Sequence, residues 1–382
     1  MPGKELTLVI DKEQAGIRAA LLQNDQVVSF YFQSPANDIG AGELYLGRVS
    51  SSRISQAGWF ISLGHGKSGF LPHHKSLAHN DLKTGDLRIV QIEKEARNGK
   101  VPELTEQIQI IGSGIIYLPF SGYTAVSHKI SEDLRNSFRK RVSKWVQPPE
   151  GAIVRTLGGQ MTVRQLFDEW NKLKRRWQCF EEKARKMREP GLIDRQLTFI
   201  GSILNENPAA ESWTIYLNTP IERDGLPESV KWVYESAENL FALHDLDKVY
   251  HQAMNASVAL PSGASLVIDY TEALTAIDVN SGSAALQKDW ETQALEMNCQ
   301  AASEIARQLR LREIGGMIII DFLHLNDNQD KEQVLRQLEE AVKNDPSVVK
   351  LFGYTKLGLV EMTRKKRRYG LRDRVIESRK KR

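Results

Sequence analysis

The sequence predicts a multidomain protein of mixed α+β and α/β class, and three observations carry that reading. The chain has 382 residues, too many for one hydrophobic core and enough for two to four domains, some of them discontinuous. Its first third consists of short apolar runs separated by glycine-bearing turns, the pattern of strands and small barrels. Its last third holds two apolar runs that each lead into an aspartate, with a stretch of helical period between them, the pattern of a β-α-β unit.

Taken in order, residues 6–10, 17–22 and 27–32 alternate as the strands of a β-meander, and 34–42 reads as a linker, with a boundary near residue 40. Residues 43–49, 58–64, 69–72 and 86–92 are short strands with glycine turns and predict a small barrel. Between 113 and 190 two strands, 115–118 and 152–156, accompany two polar helices. Ser131 caps the first above an acidic turn. The second runs from about Thr162 to Met187, with Trp170, Trp177 and Phe180 as packing residues and a solvated face of lysines and arginines interspersed with Glu181 and Glu182. Residues 191–253 are mixed, with apolar runs at 193–204 and 213–217 and a helical-looking stretch at 230–242.

The last third holds the chemistry. Residues 265–270 and 274–278 read as strands joined by a tight turn, and 317–320, bounded by Gly315 and Gly316, suits a fully buried strand. From 289 to 314 the positions Leu295, Ala302, Ile305, Ala306 and Leu309 keep helical spacing, with Gly315 as the stop. Asp278 and Asp321 thus end neighbouring strands. Two carboxylates close together at buried strand ends would repel one another unless a cation neutralised them. Magnesium suits such a pair, since it takes one or two carboxylates and keeps positions for waters and phosphate oxygens. Asn280 shares the strand face of Asp278 and could orient a carboxylate or a bound water. The competing reading is that both aspartates simply cap turns.

TEALTAIDVNSG (271–282), GGMIIIDFLHL (315–325) and LGLVEMTRKK (357–366) resemble, in this order, the hallmark segments of the ribonuclease E/G family of bacterial endoribonucleases. The resemblance implies that Asp278 and Asp321 hold a catalytic Mg2+ and that Asn280 supports them. GRV (47–49), GWFISLGHGKSGFLP (58–72) and GDLRIVQIEKEARNGK (85–100) resemble an S1 domain, an OB-type barrel that binds RNA. Phe60 and Phe70 match positions on its RNA-facing surface, where aromatic rings stack bases, while Lys67 and Lys100 can meet the backbone. Arg155 and Thr156 match the family pair that recognises an RNA 5′-monophosphate, a task suited to a guanidinium beside a hydroxyl.

The resemblance also implies a domain plan. A discontinuous RNase H-like domain (1–40 and 190–253) carries an inserted S1-like barrel (41–112) and a 5′-sensor-like domain (113–189). A DNase I-like catalytic subdomain (254–363) and a basic tail (364–382) follow. The expected activity is magnesium-dependent endonucleolytic hydrolysis of single-stranded RNA in RNA processing or decay, leaving 5′-phosphate and 3′-hydroxyl ends.

Composition sets further bounds. Net charge is only +4, but residues 364–382 hold eleven Lys or Arg against Asp373 and Glu377. That block can contact phosphates through counterion release, most of all at 364–368 beside the catalytic region. Cys179 and Cys299 are the only cysteines, so neither a disulfide framework nor a four-cysteine zinc site within one chain is expected, and both thiols are read as at least half-buried. No apolar run reaches membrane-span length and the amino terminus lacks a signal pattern, so the expected location is the cytoplasm.

Several departures from the family pattern bear on assembly. The Cys-Pro-x-Cys zinc link and small dimerisation domain of longer members are missing after Arg364, so the expected state is a monomer or a dimer without a zinc link, and no structural zinc. His324 stands where the family often has Asp. The loop 157–160 is short and Thr124-Ala125 replaces a common glycine pair, which weakens the case for 5′-end sensing. The alternatives are a noncatalytic RNA-binding protein that uses the barrel and tail, and a magnesium phosphohydrolase of small phosphates, for which the barrel has no role.

Overall fold

The computed structural model describes residues 5–371 apart from 14–15, 34–38, 51–56, 78–81, 97–99, 197, 208–209, 222–225, 227–229, 283–289, 344 and 367–369. It divides into two compact units, one of residues 1–35 with 210–382 and one of residues 36–209.

The first unit opens with β1 (Glu5–Glu13), β2 (Gly16–Gln23) and β3 (Gln26–Gln33), an antiparallel meander. Asn24 and Asp25 turn β2 into β3, both with positive φ (51° and 60°). That is type I′ geometry, which matches the twist of the strands and is tolerated best by such short polar residues.

In the second unit β4 (Leu44–Val49), β5 (Gly58–Gly64), β6 (Lys67–Pro72), β7 (Leu87–Lys94) and β8 (Glu103–Thr105) close into a five-stranded barrel. Closure follows because β4 pairs with both β5 and β7, while β8 bridges β6 and β7. Trp59, Ile61, Leu71, Val90 and Leu104 fill its interior. Next come β9 (Ile110–Ile111), β10 (Ile115–Leu118), β11 (Thr124–Val126), α1 (Glu132–Val142), β12 (Gly151–Val154) and α2 (Val163–Lys186); the four strands form a sheet in the order β11-β12-β10-β9.

Thr162 and Gln165 close a capping box at the start of α2, where each side chain bonds the other's backbone N–H. Ser131 does occupy the N-cap of α1, yet makes no side-chain cap bond; the acidic pair Glu132 and Asp133 meets the helix dipole instead. Trp170, Trp177 and Phe180 are buried as their spacing predicts. The basic face of α2 is only partly solvated, because Lys174 pairs with Glu150 at 2.8 Å, Arg176 pairs with Asp194 at 2.8 Å and Lys183 donates to the Ile193 carbonyl. Cys179, read as at least half-buried, is exposed on the same helix.

The segment expected at 190–253 is divided between the units. β13 (Gly191–Asp194) pairs with β4, and α3 (Phe199–Glu206) stays with the second unit. β14 (Ser212–Leu217) instead pairs parallel with β1, and β15 (Val230–Tyr234) pairs parallel with β14, which completes a five-stranded sheet β15-β14-β1-β2-β3. The helical-looking stretch 230–242 therefore begins as a strand and turns helical only from Leu240. Val230, Trp232 and Val233 suit the sheet edge that β14 offers, and only the short α4 (Leu240–Leu243) and then α5 (Leu246–Gln252) are helical.

Arg18 of β2 gathers the acids of this sheet. Its guanidinium meets Asp11 at 2.8 Å, Glu13 at 2.8 Å and Asp247 at 3.0 Å, and lies 4.0 Å from the centre of the Phe241 ring. Asp11 is buried and takes a further bond from Asn218 Nδ2.

The remaining elements are β16 (Ser257–Ala259), β17 (Ser265–Tyr270), β18 (Leu274–Asn280), α6 (Trp290–Leu311), β19 (Gly316–Asp321), α7 (Asn328–Val342), β20 (Val349–Tyr354) and β21 (Val360–Arg364). Their sheet runs β16-β17-β18-β19-β21-β20, and β18 and β19 are its one parallel pair, joined through α6. Leu266, Ile277, Ile318, Ile320, Val360 and Met362 pack one face of the sheet into a core shared with Met297, Ile305 and Leu338 of the helices.

Glycine does not stop α6. Glu313 takes the left-handed conformation (φ 53°), the Ile314 N–H bonds the Leu309 carbonyl and the Glu313 N–H bonds the Arg310 carbonyl, which is a Schellman ending. A non-glycine residue there costs on the order of 1 kcal/mol. The Glu313 carboxylate offsets this cost by meeting Arg364 at 3.3 Å. Arg364 also grips Asp345 through two N–H groups, at 3.0 and 3.1 Å, and donates to the Ile314 carbonyl at 2.8 Å. Its side chain is fully buried, so Arg364 leaves the proposed phosphate-contacting block and becomes a core residue. Residues 367–369 and 372–382 of that block lie outside the described residues.

Candidate active site

Asp278 and Asp321 are Cα partners across the parallel pair β18 and β19. Adjacent strands lie about 4.8 Å apart, so the register sets the two side chains next to each other. Strand alternation puts both on the face opposite the helices: Ile277, Val279 and Ile320 point into the core, while Asp278, Asn280 and Asp321 are exposed. This corrects the argument from buried strand ends. The carboxylates sit in water, and desolvation is not what calls for a cation.

Their partners are few. Asn280 Nδ2 donates to Asp278 Oδ2 at 2.8 Å, and neither carboxylate forms an ion pair among the described residues. With its amide nitrogen committed to Asp278, Asn280 keeps its carbonyl oxygen as a further acceptor. Gly282 follows at φ 61°, and a side chain there would collide with the Gly263 carbonyl, so the turn that closes the β18 end needs glycine. No group of three or more His, Cys, Asp or Glu that could hold a metal ion is found among the described residues. The donor set is thus two carboxylates and one amide oxygen, all hard oxygen ligands, which fits an ion that retains several waters.

Sequence reading passed over the neighbourhood of this pair. On the same open face Ile319 lies across from Glu361 and Met317 across from Thr363, with Met317, Glu361 and Lys350 exposed. The backbone beyond Asp321 is held from α6, where Asn298 bonds Leu323 and Glu291 bonds Asn326. The Glu291 bonds hold its carboxyl below the usual carboxylate range. His324 contacts Asn326 Oδ1 at 3.3 Å. A polar residue in a buried helical stripe was the available signal for Asn298.

In the second unit Phe60 and Phe70 are direct cross-strand partners on β5 and β6, with ring centres 5.6 Å apart. Both are half-buried and alternate with the buried Trp59, Ile61 and Leu71, so they stand on the outer face of the barrel. Lys67 begins β6, and the exposed Lys100 lies two residues before Pro102, whose carbonyl accepts from the Phe70 N–H at 2.8 Å.

Arg155 and Thr156 follow β12 and are half-buried. Arg155 donates to the Gly112 carbonyl at 2.7 Å, the Ser113 carbonyl at 3.3 Å, the Asn205 carbonyl at 3.0 Å and the Asn205 side chain. A phosphate would compete with these acceptors. Thr156 Oγ1 lies 3.0 Å from Ser127 Oγ, and the loop after it is a 3-10 turn, Leu157–Gln160.

Residues 109–367 match the model of the Ribonuclease E/G family. The chain is 30% identical to Ribonuclease E of Escherichia coli (strain K12) over 94% of its own length and 36% of that protein's. It is 29% identical to Ribonuclease E of Synechocystis sp., covering 94% and 56%, and 28% identical to Ribonuclease G of Escherichia coli (strain K12), covering 94% and 80%. The chain therefore spans between about a third and just over half of these ribonucleases E.

Proposed function

This chain belongs to the ribonuclease E/G family, and on that premise we propose that it is a magnesium-dependent endoribonuclease hydrolysing phosphodiester bonds in single-stranded RNA. The observation that carries the reading is the register of Asp278 against Asp321 on an exposed sheet face, with Asn280 bonded to the first. Asp278 and Asp321 would hold the metal, and Asn280 would orient Asp278 through its donated bond, with its carbonyl oxygen free to accept a hydrogen bond from water. The chemistry such a magnesium would supply when bound is polarisation of a phosphate oxygen and activation of a water. The Asn280 donor fixes one Asp278 oxygen, and the second would be available to a metal ion. No protein general base is assigned. The products would carry 5′-phosphate and 3′-hydroxyl ends, and the setting would be cytoplasmic RNA processing or decay.

In this reading the five-stranded sheet of β1–β3, β14 and β15 is the RNase H-like domain. The closed barrel is the S1-like domain, and the sheet bearing the aspartates is the DNase I-like catalytic subdomain. The half-buried Phe60 and Phe70 pair on the outer face of the barrel would offer a stacking surface for bases, with Lys67 and Lys100 for the backbone. Arg155 and Thr156, with Ser127 beside them, would receive a 5′-monophosphate. A monomer, or a dimer without a zinc link, would suffice for these roles.

The test incubates the chain with a 5′-monophosphorylated, AU-containing single-stranded RNA, with and without Mg2+. Cleavage only with Mg2+ supports the nuclease, whereas retention of intact RNA under both conditions replaces it with a noncatalytic RNA-binding protein. A triphosphorylated substrate should be cut more slowly, and Arg155→Ala should erase the difference; equal rates for both ends in the unaltered chain remove the sensing role.

A further inference from the structure

We propose that Asn298 is a positioning residue for Asp321, a role that rests on the reading of Asp321 as a metal ligand. Asn298 lies on the buried stripe of α6, between Ala294 and Ala302, and is 0% exposed. A polar side chain in such a stripe needs its bonds made. Asn298 makes both with one residue: its Nδ2 donates to the Leu323 carbonyl at 2.8 Å, and its Oδ1 accepts from the Leu323 N–H at 2.9 Å. The amide therefore stands in for a neighbouring strand.

Its place explains why this matters. The β18–β19 ladder ends at the Asp278–Asp321 pair, and the β19–β21 ladder ends one residue earlier, at Ile320. Leu323 is two residues further on. The Asp321 side chain has no partner of its own among the described residues, so its direction is inherited from the backbone on either side. The ladders fix one side and Asn298 fixes the other. Glu291, two helical turns earlier on α6, holds the far end of the same loop by accepting from the Asn326 N–H at 2.7 Å and from Asn326 Nδ2 at 2.9 Å. A magnesium site demands near-ideal placement of its oxygen ligands, so a loosened Asp321 weakens binding before it alters the fold.

The test follows Mn2+ alone, by electron paramagnetic resonance, binding to the full chain carrying Asn298→Ala, Glu291→Ala or Asp321→Asn. Circular dichroism and hydrogen exchange at the Leu323 amide are measured beside it. With the native spectrum kept, Asn298→Ala should lose protection at Leu323 and raise the half-saturating Mn2+ concentration roughly 10- to 100-fold, the range for groups that orient metal ligands. Glu291→Ala, at a half-exposed site, should give a smaller shift in the same direction and carries the test if Asn298→Ala does not fold. The proposal is overturned if Asp321→Asn abolishes Mn2+ binding while the folded loop variants bind within twofold of the unaltered chain, since Asn298 is then only a packing residue. If Asp321→Asn itself binds Mn2+ normally, the metal-site reading fails, and the positioning role with it.

Discussion

Two sets of carboxylates in the first unit have been treated in opposite ways. Asp11, Glu13 and Asp247 close around the Arg18 guanidinium, and Asp345 and Glu313 around Arg364; in each case an internal cation occupies the space between the acids. Asp278 and Asp321 are paired in register across neighbouring strands, yet neither forms an ion pair with a lysine or arginine among the described residues. The difference lies in burial. Asp11 and Asp345 are inside the protein, where an unpaired charge would be costly, so the chain supplies its own cation. Asp278 and Asp321 face water, which solvates their carboxyl groups without an internal cation. They are thereby available to an external ion.

The largest test of this contrast exchanges activity for stability. Replacing both Asp278 and Asp321 by asparagine should lower magnesium-dependent RNA cleavage by more than about 100-fold, beyond the range seen for groups that only orient a ligand. Thermal unfolding should barely move, since exposed substitutions stay within about 0.5 kcal/mol. Arg18→Met should do the reverse. It strands buried Asp11 and should cost about 3–5 kcal/mol in urea unfolding, with cleavage per folded molecule unchanged. A large stability loss in the aspartate variant would erase the distinction.

Smaller effects sharpen it. Asn280→Ala removes the bond that aims Asp278 and should raise the Mg2+ concentration for half-maximal cleavage roughly 10-fold or somewhat more, with the maximal rate less affected. Glu291 gives the smallest effect, through pH. Its folded-state pKa is lowered by the bonds from Asn326, so its contribution is complete above the ordinary carboxylate range and is lost only as pH falls through the depressed value. Hydrogen-exchange protection of the Asn326 amide should accordingly persist to a lower pH than an unperturbed glutamate would allow. Protection that fades at the ordinary glutamate pKa would remove this clamp.

How much of this could be read from the chain depended on whether the controlling interaction was local. The strands around Asp278 and Asp321, the crossover helix and the capping box of α2 follow from short-range pattern and spacing. β15 did not, because Val230 to Tyr234 becomes a strand only where β14 provides an edge. The partner of Arg364 lies nineteen residues away in Asp345, so a run of basic residues concealed a buried side chain. For the site, periodicity placed both aspartates but misjudged their burial, since the covered face of a sheet depends on where the helices pack. Asn298 escaped because its two bonds go to a loop 25 residues distant.

The central claim is tested most directly by single-turnover cleavage of a 5′-monophosphorylated single-stranded RNA across a Mg2+ titration, with the unaltered chain beside Asp278→Asn and Asp321→Asn. Cleavage should rise with Mg2+ in the unaltered chain and be nearly absent in both variants, while all three still bind the RNA. Either variant cutting at the unaltered rate, with the same dependence on Mg2+, would contradict it.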